Sequence, residues 1–344
     1  MPKPSNKERI RKIVKAAEAR FGQEVEKVTA PGGEGRDSYR LHFEDREMIA
    51  TKRPNFRRTH LEAYVLESLG AHCDDLPSVL AVEGDILFQS DVGRRRLNIE
   101  IAKAEGQSQL DLAHEAVEAI FRIHAAARRT DLKTMLPHLG NNKGWVRNLV
   151  TAVDALQPYS TGISNKFERS AAAQMIAKPG VQFVKWDCRS GNAAIGADDK
   201  LRWFDFEFAG LRHGAEDLAW LIGDEAWPLP PETMEAIVLE AFDPRCGHTR
   251  DAYMEYLSVY LALHSVQRFK LIVKEAHKRG WLSKERVRKY DDAGVHPDFA
   301  MQICNVGAYF ASRSPLTRML VENFEGAAKT FEDIRDGGSE LRSA

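Results

Sequence analysis

The chain of 344 residues is 43% hydrophobic and 29% charged, and its formal net charge at pH 7 is -1. This composition is typical of a folded globular protein that is long enough for two cores or one large two-lobed domain. A net charge so close to zero provides no basic field that would attract nucleic acid or an anionic membrane. We therefore expect small molecules as partners, with no nucleic acid and no membrane.

The positions of the cysteines and the lengths of the apolar segments narrow the possible classes of protein further. The four cysteines are far apart and form no CxxC pair, which argues against a zinc site or a disulfide framework. The first residues contain no apolar segment of signal-peptide length, and no window elsewhere has the roughly 18 uninterrupted apolar residues that a spanning helix needs. The sequence predicts a cytoplasmic protein with reduced thiols.

The first 93 residues combine helical and β-type patterns. Apolar residues at helical spacing predict a leading amphipathic helix over 5–21, whose basic face is better explained by solvation than by a nucleic-acid patch. Short β-type runs follow at 26–30, 38–43, 47–52, 78–82 and 85–90. One helical stripe separates the third run from the fourth, so the pattern predicts a five-strand, one-helix lobe that ends near Gly93.

Beyond Gly93 the pattern is mostly helical. Periodic apolar stripes predict helices near 109–129, 143–156, 231–242, 250–278 and 297–312. One β-rich segment interrupts them at 181–206, where the runs 193–195 and 201–206 flank a turn and predict a hairpin.

This β-rich segment carries the residues that suggest chemistry. Asp187 and Asn192 lie five positions apart on a predicted loop, and Asp205 lies at the end of the second hairpin strand. Phosphoryl transfer requires a carboxylate to orient the attacking hydroxyl and hard oxygen ligands for Mg²⁺. Asp187 suits the first role, and Asn192 and Asp205 suit the second. The alternative is that all three are ordinary turn residues.

The spacing D-x-x-x-x-N, followed by a hairpin and an Asp-centred turn, resembles the catalytic and metal-binding loops of the protein-kinase superfamily. The stretches WDCRSGNAAI and WFDFEFAGLRHGAEDLA resemble the aminoglycoside phosphotransferase and choline kinase-like branch. This resemblance implies an α+β, bilobed, protein-kinase-like fold. A small antiparallel β-sheet lobe with one helix would span 1–93, and a larger, mainly helical lobe would span 94–344.

The resemblance extends to the first lobe. Gly33 and Gly35 belong to the run PGGEG, where the backbone could approach phosphates closely, although a plain hairpin turn is the commoner meaning. Lys52 in ATK resembles the kinase lysine that contacts the α- and β-phosphates. Glu62 lies on the following helix, and the resemblance implies that it pairs with this lysine.

Further positions follow from the same resemblance. Ser90 and Val92 would form the hinge that meets the nucleotide base with backbone groups. Lys185 stands where the family usually has a structural histidine, which raises the question of how the loop is supported. Arg189 stands where protein kinases carry a lysine aimed at the transferred phosphate, and a planar guanidinium can clamp phosphate oxygens.

Several neighbouring residues allow two interpretations. Glu207 could be a second metal ligand or a strand-end charge, whereas His124 and Asp217 are better explained as structural residues. Cys188 has no partners that would make it a nucleophile. Candidate acceptor contacts, each equally explicable by packing, are Asp224, Glu225, Trp227, His264 and Arg268.

Together these features predict a phosphotransferase that uses ATP or GTP as donor and Mg²⁺ as cofactor. Only twelve positions separate Asp205 from Asp217, which leaves little chain for a peptide platform. The expected acceptor is therefore a hydroxyl of a small molecule, such as a sugar, an amino alcohol or an aminoglycoside-like compound. The alternative is a catalytically inactive, kinase-like nucleotide-binding scaffold, which the Lys185 replacement encourages and the retained Lys52, Asp187, Asn192 and Asp205 oppose.

Overall fold

The computed structural model of the chain describes residues 6–33, 36–140, 142–160, 162–177 and 180–337. The strands are β1 (Lys27–Thr29), β2 (Ser38–His42), β3 (Glu47–Lys52), β4 (Val79–Glu83), β5 (Ile86–Ser90), β6 (Arg95–Arg96), β7 (Gln182–Val184), β8 (Ala193–Ile195), β9 (Leu201–Trp203) and β10 (Gly210–Arg212). The helices are α1 (Asn6–Phe21), α2 (Phe56–Gly70), α3 (Leu97–Lys103), α4 (Gly106–Ala127), α5 (Leu132–Met135), α6 (Lys143–Thr151), α7 (Arg169–Ile176), α8 (Ala215–Ile222), α9 (Pro231–Ala241), α10 (Arg250–Arg279), α11 (Lys284–Tyr290), α12 (Pro297–Ser312) and α13 (Val321–Arg335).

The N-terminal lobe is an antiparallel five-stranded sheet with the order β1-β2-β3-β5-β4. Along β3 the side chains alternate between two faces, as the pleat of a strand requires. Met48 and Ala50 join a hydrophobic core with Ile13 of α1, whereas Ile49 and Thr51 line a cleft on the other face. The leading helix therefore covers one side of the sheet and leaves the other side open to the second lobe.

Helix α2 connects the sheet to the second lobe. The side chain of Asn55 caps its first turn by accepting a hydrogen bond from the Arg57 amide at 3.0 Å. Its apolar face buries Val65, Leu66 and Leu69 in the same core as the helices of the second lobe. This shared core places the one charged residue buried on α2, Glu62, at the junction between the lobes.

The second lobe is helical around α10, which contacts α8 and α12 extensively. Two small sheets interrupt it, one with the order β6-β8-β9 and one that pairs β7 with β10. The loop from β7 to β8 contains Asp187 and Asn192, and the loop after β9 contains Asp205. The two sheets therefore bring both loops to the edge of the lobe that faces the five-stranded sheet.

The structure confirms the predicted α+β, bilobed, kinase-like architecture. It also confirms the five predicted strands of the first lobe and the hairpin after Asn192, although β9 ends at Trp203. The lobe boundary at Gly93 stays a prediction. Within the described ranges, no helix is both long and apolar enough to cross a membrane.

Candidate active site

The two lobes face each other across a cleft of about 340 Å³. Both contribute to its walls, because residues of β3 and of the segment after β5 lie opposite residues of β8 and of the loop after β9. Among the lining residues are Ile49, Ser90, Val92, Asn192, Ala194 and Asp205. The predicted hinge residues and the predicted metal ligands therefore open onto one cavity.

The loop that carries Asp187 is held in an unusual backbone conformation. Trp186 and Asp187 have φ angles of 61° and 56°, in the left-handed region that costs a non-glycine residue free energy. Asp217, in the first turn of α8, accepts hydrogen bonds from the amides of Lys185 at 2.7 Å and Trp186 at 2.8 Å. The same carboxylate lies 2.8 Å from Nε2 of His124. Asp217 and His124 thus act as structural supports of the loop.

Lys185 supports the loop from inside the lobe. Its side chain is buried, and its Nζ donates a hydrogen bond to the carbonyl oxygen of Asp187 at 3.1 Å. The ammonium lies 5.4 Å from the ring centroid of Phe206, within the range of a cation–π interaction. The residue that replaces the expected histidine therefore still ties the loop that carries Asp187 to the loop after β9.

The Asp187 carboxylate forms a two-point ion pair with Arg189. Nε and Nη2 of Arg189 donate to its two oxygens at 2.7 Å and 3.2 Å. Burial disfavours the charged carboxylate, but the adjacent guanidinium outweighs this and lowers the pKa of Asp187 to about 2. Asp187 is therefore ionised at neutral pH. Arg189 also lies 3.3 Å from Asp291, which follows α11.

Asn192 and Asp205 present oxygen atoms to the cleft. Nδ2 of Asn192 donates to the carbonyl of Asp187 at 3.0 Å, which leaves its amide oxygen as the group available to a cation. The Phe204 amide donates to the carbonyl of Asn192 at 2.9 Å and so joins the two loops. One amide and one carboxylate oxygen are a donor set that Mg²⁺ uses when phosphates and water complete its shell. In the described part of the chain, no group of three or more His, Cys, Asp or Glu could hold a metal by itself.

The expected ion pair between Lys52 and Glu62 is wrong, because Arg53 occupies that position. Arg53 binds both oxygens of Glu62 at 2.8 to 3.1 Å and also contacts Asp205 at 2.5 Å and Glu207 at 3.1 Å. Lys52 instead forms an ion pair with Asp85. The reason is the pleat of β3, since Arg53 continues the cleft face of Ile49 and Thr51 while Lys52 points the other way.

Both oxygens of Glu207 are engaged by arginines. Oε1 accepts from Arg53 at 3.1 Å and Oε2 accepts from Arg58 at 3.2 Å. These contacts favour the interpretation of Glu207 as a charge in an ion-pair network over that of a second metal ligand. Cys188 is buried, and burial raises the pKa of its thiol well above the ordinary value, which makes it unsuited to be a nucleophile.

The glycine-rich run is partly outside the described residues, and Gly35 belongs to that part. Gly33 has a φ angle of 95°, a conformation that favours glycine, and its amide donates to the carbonyl of Ala30 at 3.0 Å. Its neighbour Gly32 lines the cleft. The described part of the run therefore turns at the edge of the cleft.

The five candidate acceptor contacts are packed or paired within the protein, although Nε2 of His264 has no hydrogen-bond partner among the residues that the structure describes. Asp224 accepts from the amide of Ser190 at 2.9 Å, and Glu225 binds Arg268 through two hydrogen bonds at 2.7 Å and 2.9 Å. Trp227 lies in the hydrophobic core. His264 is buried, and this burial lowers its pKa to about 3. These contacts support the packing interpretation, and a direct role toward an acceptor stays a prediction.

Three half-buried tryptophans lie at or beside the loop that carries Asp187. The ring centroid of Trp186 is 6.1 Å from that of Trp145 on α6 and 6.2 Å from that of Trp220 on α8. Sequence reasoning missed this group because its members are far apart in the chain. The position of Trp186 directly before Asp187 was the available signal.

Comparisons with known proteins identify the fold. No family model matches the chain, and no curated protein matches it. A choline/ethanolamine kinase family protein from Mesorhizobium loti is 14% identical with a TM-score of 0.55, and the match covers 93% of this chain and 100% of that chain. The macrolide 2'-phosphotransferase MphH from Brachybacterium faecium is 13% identical with a TM-score of 0.52, covering 81% and 96%.

A third similar structure contains ligands. It is the spectinomycin phosphotransferase APH(9)-Ia in complex with ADP and spectinomycin, which is 10% identical with a TM-score of 0.51, covering 86% of this chain and 98% of that chain. The names of the three proteins refer to different small molecules, and their likeness to this chain concerns architecture. The chain therefore has the fold of the choline kinase-like, aminoglycoside and macrolide phosphotransferases.

Proposed function

We propose that this protein is a phosphotransferase that moves the γ-phosphoryl group of ATP or GTP to a hydroxyl of a small molecule. The observation that carries the proposal is the arrangement at the cleft. An ionised Asp187 lies on one loop with Asn192, and a backbone hydrogen bond joins that loop to the one bearing Asp205. The fold shared with small-molecule phosphotransferases supports the same conclusion.

In this mechanism Asp187 orients the acceptor. Its carboxylate accepts a hydrogen bond from the attacking hydroxyl and takes the proton as the new O–P bond forms and the bond to the β,γ-bridging oxygen breaks. Because a carboxylate with a pKa of about 2 is a weak base, the proton moves late, as a loose transition state allows. Arg189 can transfer some of its hydrogen bonds from Asp187 to the oxygens of the transferred phosphoryl group.

The cofactor would lie on the other side of the cleft. Asn192 and Asp205 would hold Mg²⁺, and the bound cation would neutralise charge on the β- and γ-phosphates. The nucleotide base would lie between Ile49 and Ala194, next to the backbone of Ser90 and Val92. Gly33 would bring the backbone close to the phosphates, whereas Lys52, which was expected to contact them, pairs with Asp85.

The acceptor is expected to be small. Strand β10 begins five residues after Asp205, and α8 begins at Ala215, so the chain returns directly to the core. This leaves no segment on which a peptide could lie. The three tryptophan rings, whose planes are tilted by 51° and 59° from one neighbour to the next, offer a partly apolar surface beside Asp187. Such a surface suits a hydroxylated compound with an apolar or cationic face.

A catalytically inactive scaffold is the alternative function. It was suggested by Lys185, but the hydrogen bond from Lys185 to the carbonyl of Asp187 provides the loop support that the missing histidine would have given. The Lys185 replacement therefore no longer favours an inactive scaffold.

Mg²⁺-dependent turnover of ATP and GTP against a panel of sugars, amino alcohols, nucleosides and aminoglycosides tests the proposal. Asp187→Asn should lower kcat by a factor of about 10² to 10⁴ and leave nucleotide affinity nearly unchanged. Asp199→Asn is the matched control, because Asp199 lies on an exposed turn with an equally positive φ. Nucleotide binding with no transfer to any acceptor and no slow hydrolysis would favour the scaffold.

A further inference from the structure

Four arginines line the cleft, and two of them have no carboxylate partner among the residues that the structure describes. Arg40 pairs with Asp91, and Arg53 pairs with Glu62 and its neighbours. Arg36 and Arg96 differ from these two, since neither forms an ion pair within the described ranges. Arg36 is exposed, whereas Arg96 is partly buried. An uncompensated cation at a partly buried position such as that of Arg96 costs free energy unless a ligand supplies the counter-charge.

Arg96 belongs to a run of three arginines whose members have different surroundings. Arg94 and Arg95 are exposed and bind Glu47 and Asp199 on the surface. Arg96 is partly buried and lines the cleft, where its guanidinium lies 5.6 Å from the ring centroid of Phe204. Within the described part of the chain it makes no side-chain hydrogen bond.

Arg36 approaches the same space from the opposite lobe. Its Nη2 donates to the carbonyl oxygens of Tyr290 at 2.6 Å and Asp291 at 3.1 Å, so it satisfies hydrogen bonds without neutralising its charge. Burial lowers the pKa of Arg96 below its ordinary value and outweighs the nearby charges of Asp291 and Asp205, which raise it. The nearby charge of Arg36 lowers it further. Two cations from different lobes are thus held close together.

The carboxylates near these arginines are already engaged. Asp205 accepts from Arg53, and Asp291 lies 3.3 Å from Arg189. Arg53, which stands at the position expected of the phosphate-binding lysine, donates from Nε, Nη1 and Nη2 to three carboxylates. It therefore has little capacity left for a phosphate chain.

We propose that Arg36 and Arg96 form the site that binds the phosphate chain of the nucleoside triphosphate, with Arg96 as its principal anchor. The inference rests on the proposed function and deepens it. In this arrangement Arg96, the residue directly before α3, supplies the positive charge that binds phosphate, and Arg53 positions Asp205.

Binding of adenosine, AMP, ADP and ATP, and of the matching guanine series, tests this assignment by calorimetry on the full chain. For the wild type, affinity should rise with each added phosphate. In Arg96→Gln, affinity for ADP and ATP should fall about 10- to 100-fold, because hydrogen bonds to charged groups are lost, while adenosine or guanosine binds as before. Arg96→Lys should recover part of the loss.

Arg95→Gln is the matched control, since it removes a neighbouring guanidinium outside the cleft and should leave all affinities unchanged. Thermal melting of each variant checks that it is folded. A graded wild-type series that persists in Arg96→Gln, or an equal loss for the nucleoside, would overturn the inference and leave the proposed function intact. A wild type that binds no nucleoside triphosphate would overturn both.

Discussion

Replacing Arg53 by Ala should destabilise the protein far more than replacing its neighbour Lys52. Arg53→Ala leaves the fully buried Glu62 without its cation and removes a partner from Asp205 and Glu207. Breaking a buried ion pair from one side costs about 3–5 kcal/mol. Lys52→Ala removes a pair whose partner Asp85 is partly exposed to solvent, which costs about 1 kcal/mol or less.

Thermal melting and urea unfolding of the two variants measure this difference. With roughly 2 °C per kcal/mol for a large chain, Arg53→Ala should melt on the order of 5–10 °C below the wild type, and Lys52→Ala within about 2 °C. The deficit of Arg53→Ala should also shrink as the pH falls toward 5. Burial raises the pKa of Glu62 even with Arg53 present, and the charge of Asp205 adds to this, whereas Arg53 opposes it. Loss of Arg53 therefore raises this pKa further, so the folded state of the variant gains more stability than the wild type does when the pH falls.

The opposite ranking would refute this reasoning. If Lys52→Ala were as destabilising as Arg53→Ala, the face assigned to each side chain of β3 would be wrong. Arg53→Lys is a useful intermediate, because an ammonium keeps the charge but cannot reach three carboxylates with a planar fork. It should recover only part of the lost stability.

Three further predictions concern the catalytic loop. Lys185→Met should lower kcat about tenfold or more in a coupled turnover assay and leave the affinity for ATP unchanged, because the carbonyl of Asp187 loses its hydrogen-bond donor. A wild-type kcat in this variant would contradict the role of Lys185 as a support of the loop. The pH profile of kcat/KM should show no acid limb from Asp187 above about pH 3 in the wild type. In Arg189→Gln the pKa of Asp187 should rise, so that this limb moves to higher pH. An unmoved limb would show that the ion pair does not set the pKa of Asp187. Trp220→Ala should raise the acceptor KM and leave the ATP KM unchanged, and an effect on ATP alone would remove the tryptophans from the acceptor surface.

Periodicity in the sequence predicted the long elements well. The apolar stripe at 250–278 became α10, and the five β-type runs became the first sheet. The short strands β6, β7 and β10 have two or three residues each, and their pairing depends on contacts across the lobe that a local pattern does not contain. Helix α13 was missed, although it buries Phe324 and Phe331 against the core.

The candidate site was predicted where spacing along one loop decides it. Asp187 and Asn192 lie on one loop, and a hairpin returns Asp205 to it. Asp291 was missed, since it reaches Arg189 from a loop 102 residues further along the chain. The alternation of side chains along β3 indicated that Arg53, and not Lys52, faces the cleft. The prediction followed the resemblance to a lysine motif instead.

The position of Arg53 has a consequence for the whole cleft. A guanidinium has donors in a planar fork, so Arg53 binds Glu62 with three hydrogen bonds and still contacts Asp205 and Glu207. An ammonium at this place would keep more of its charge available to a phosphate. Arginine instead commits its charge to fixing Asp205 against α2, and the counter-charge for the nucleotide must then come from elsewhere. Arg96 is a cleft cation that the described contacts leave uncommitted, so the two residues divide between them the roles that one lysine would combine.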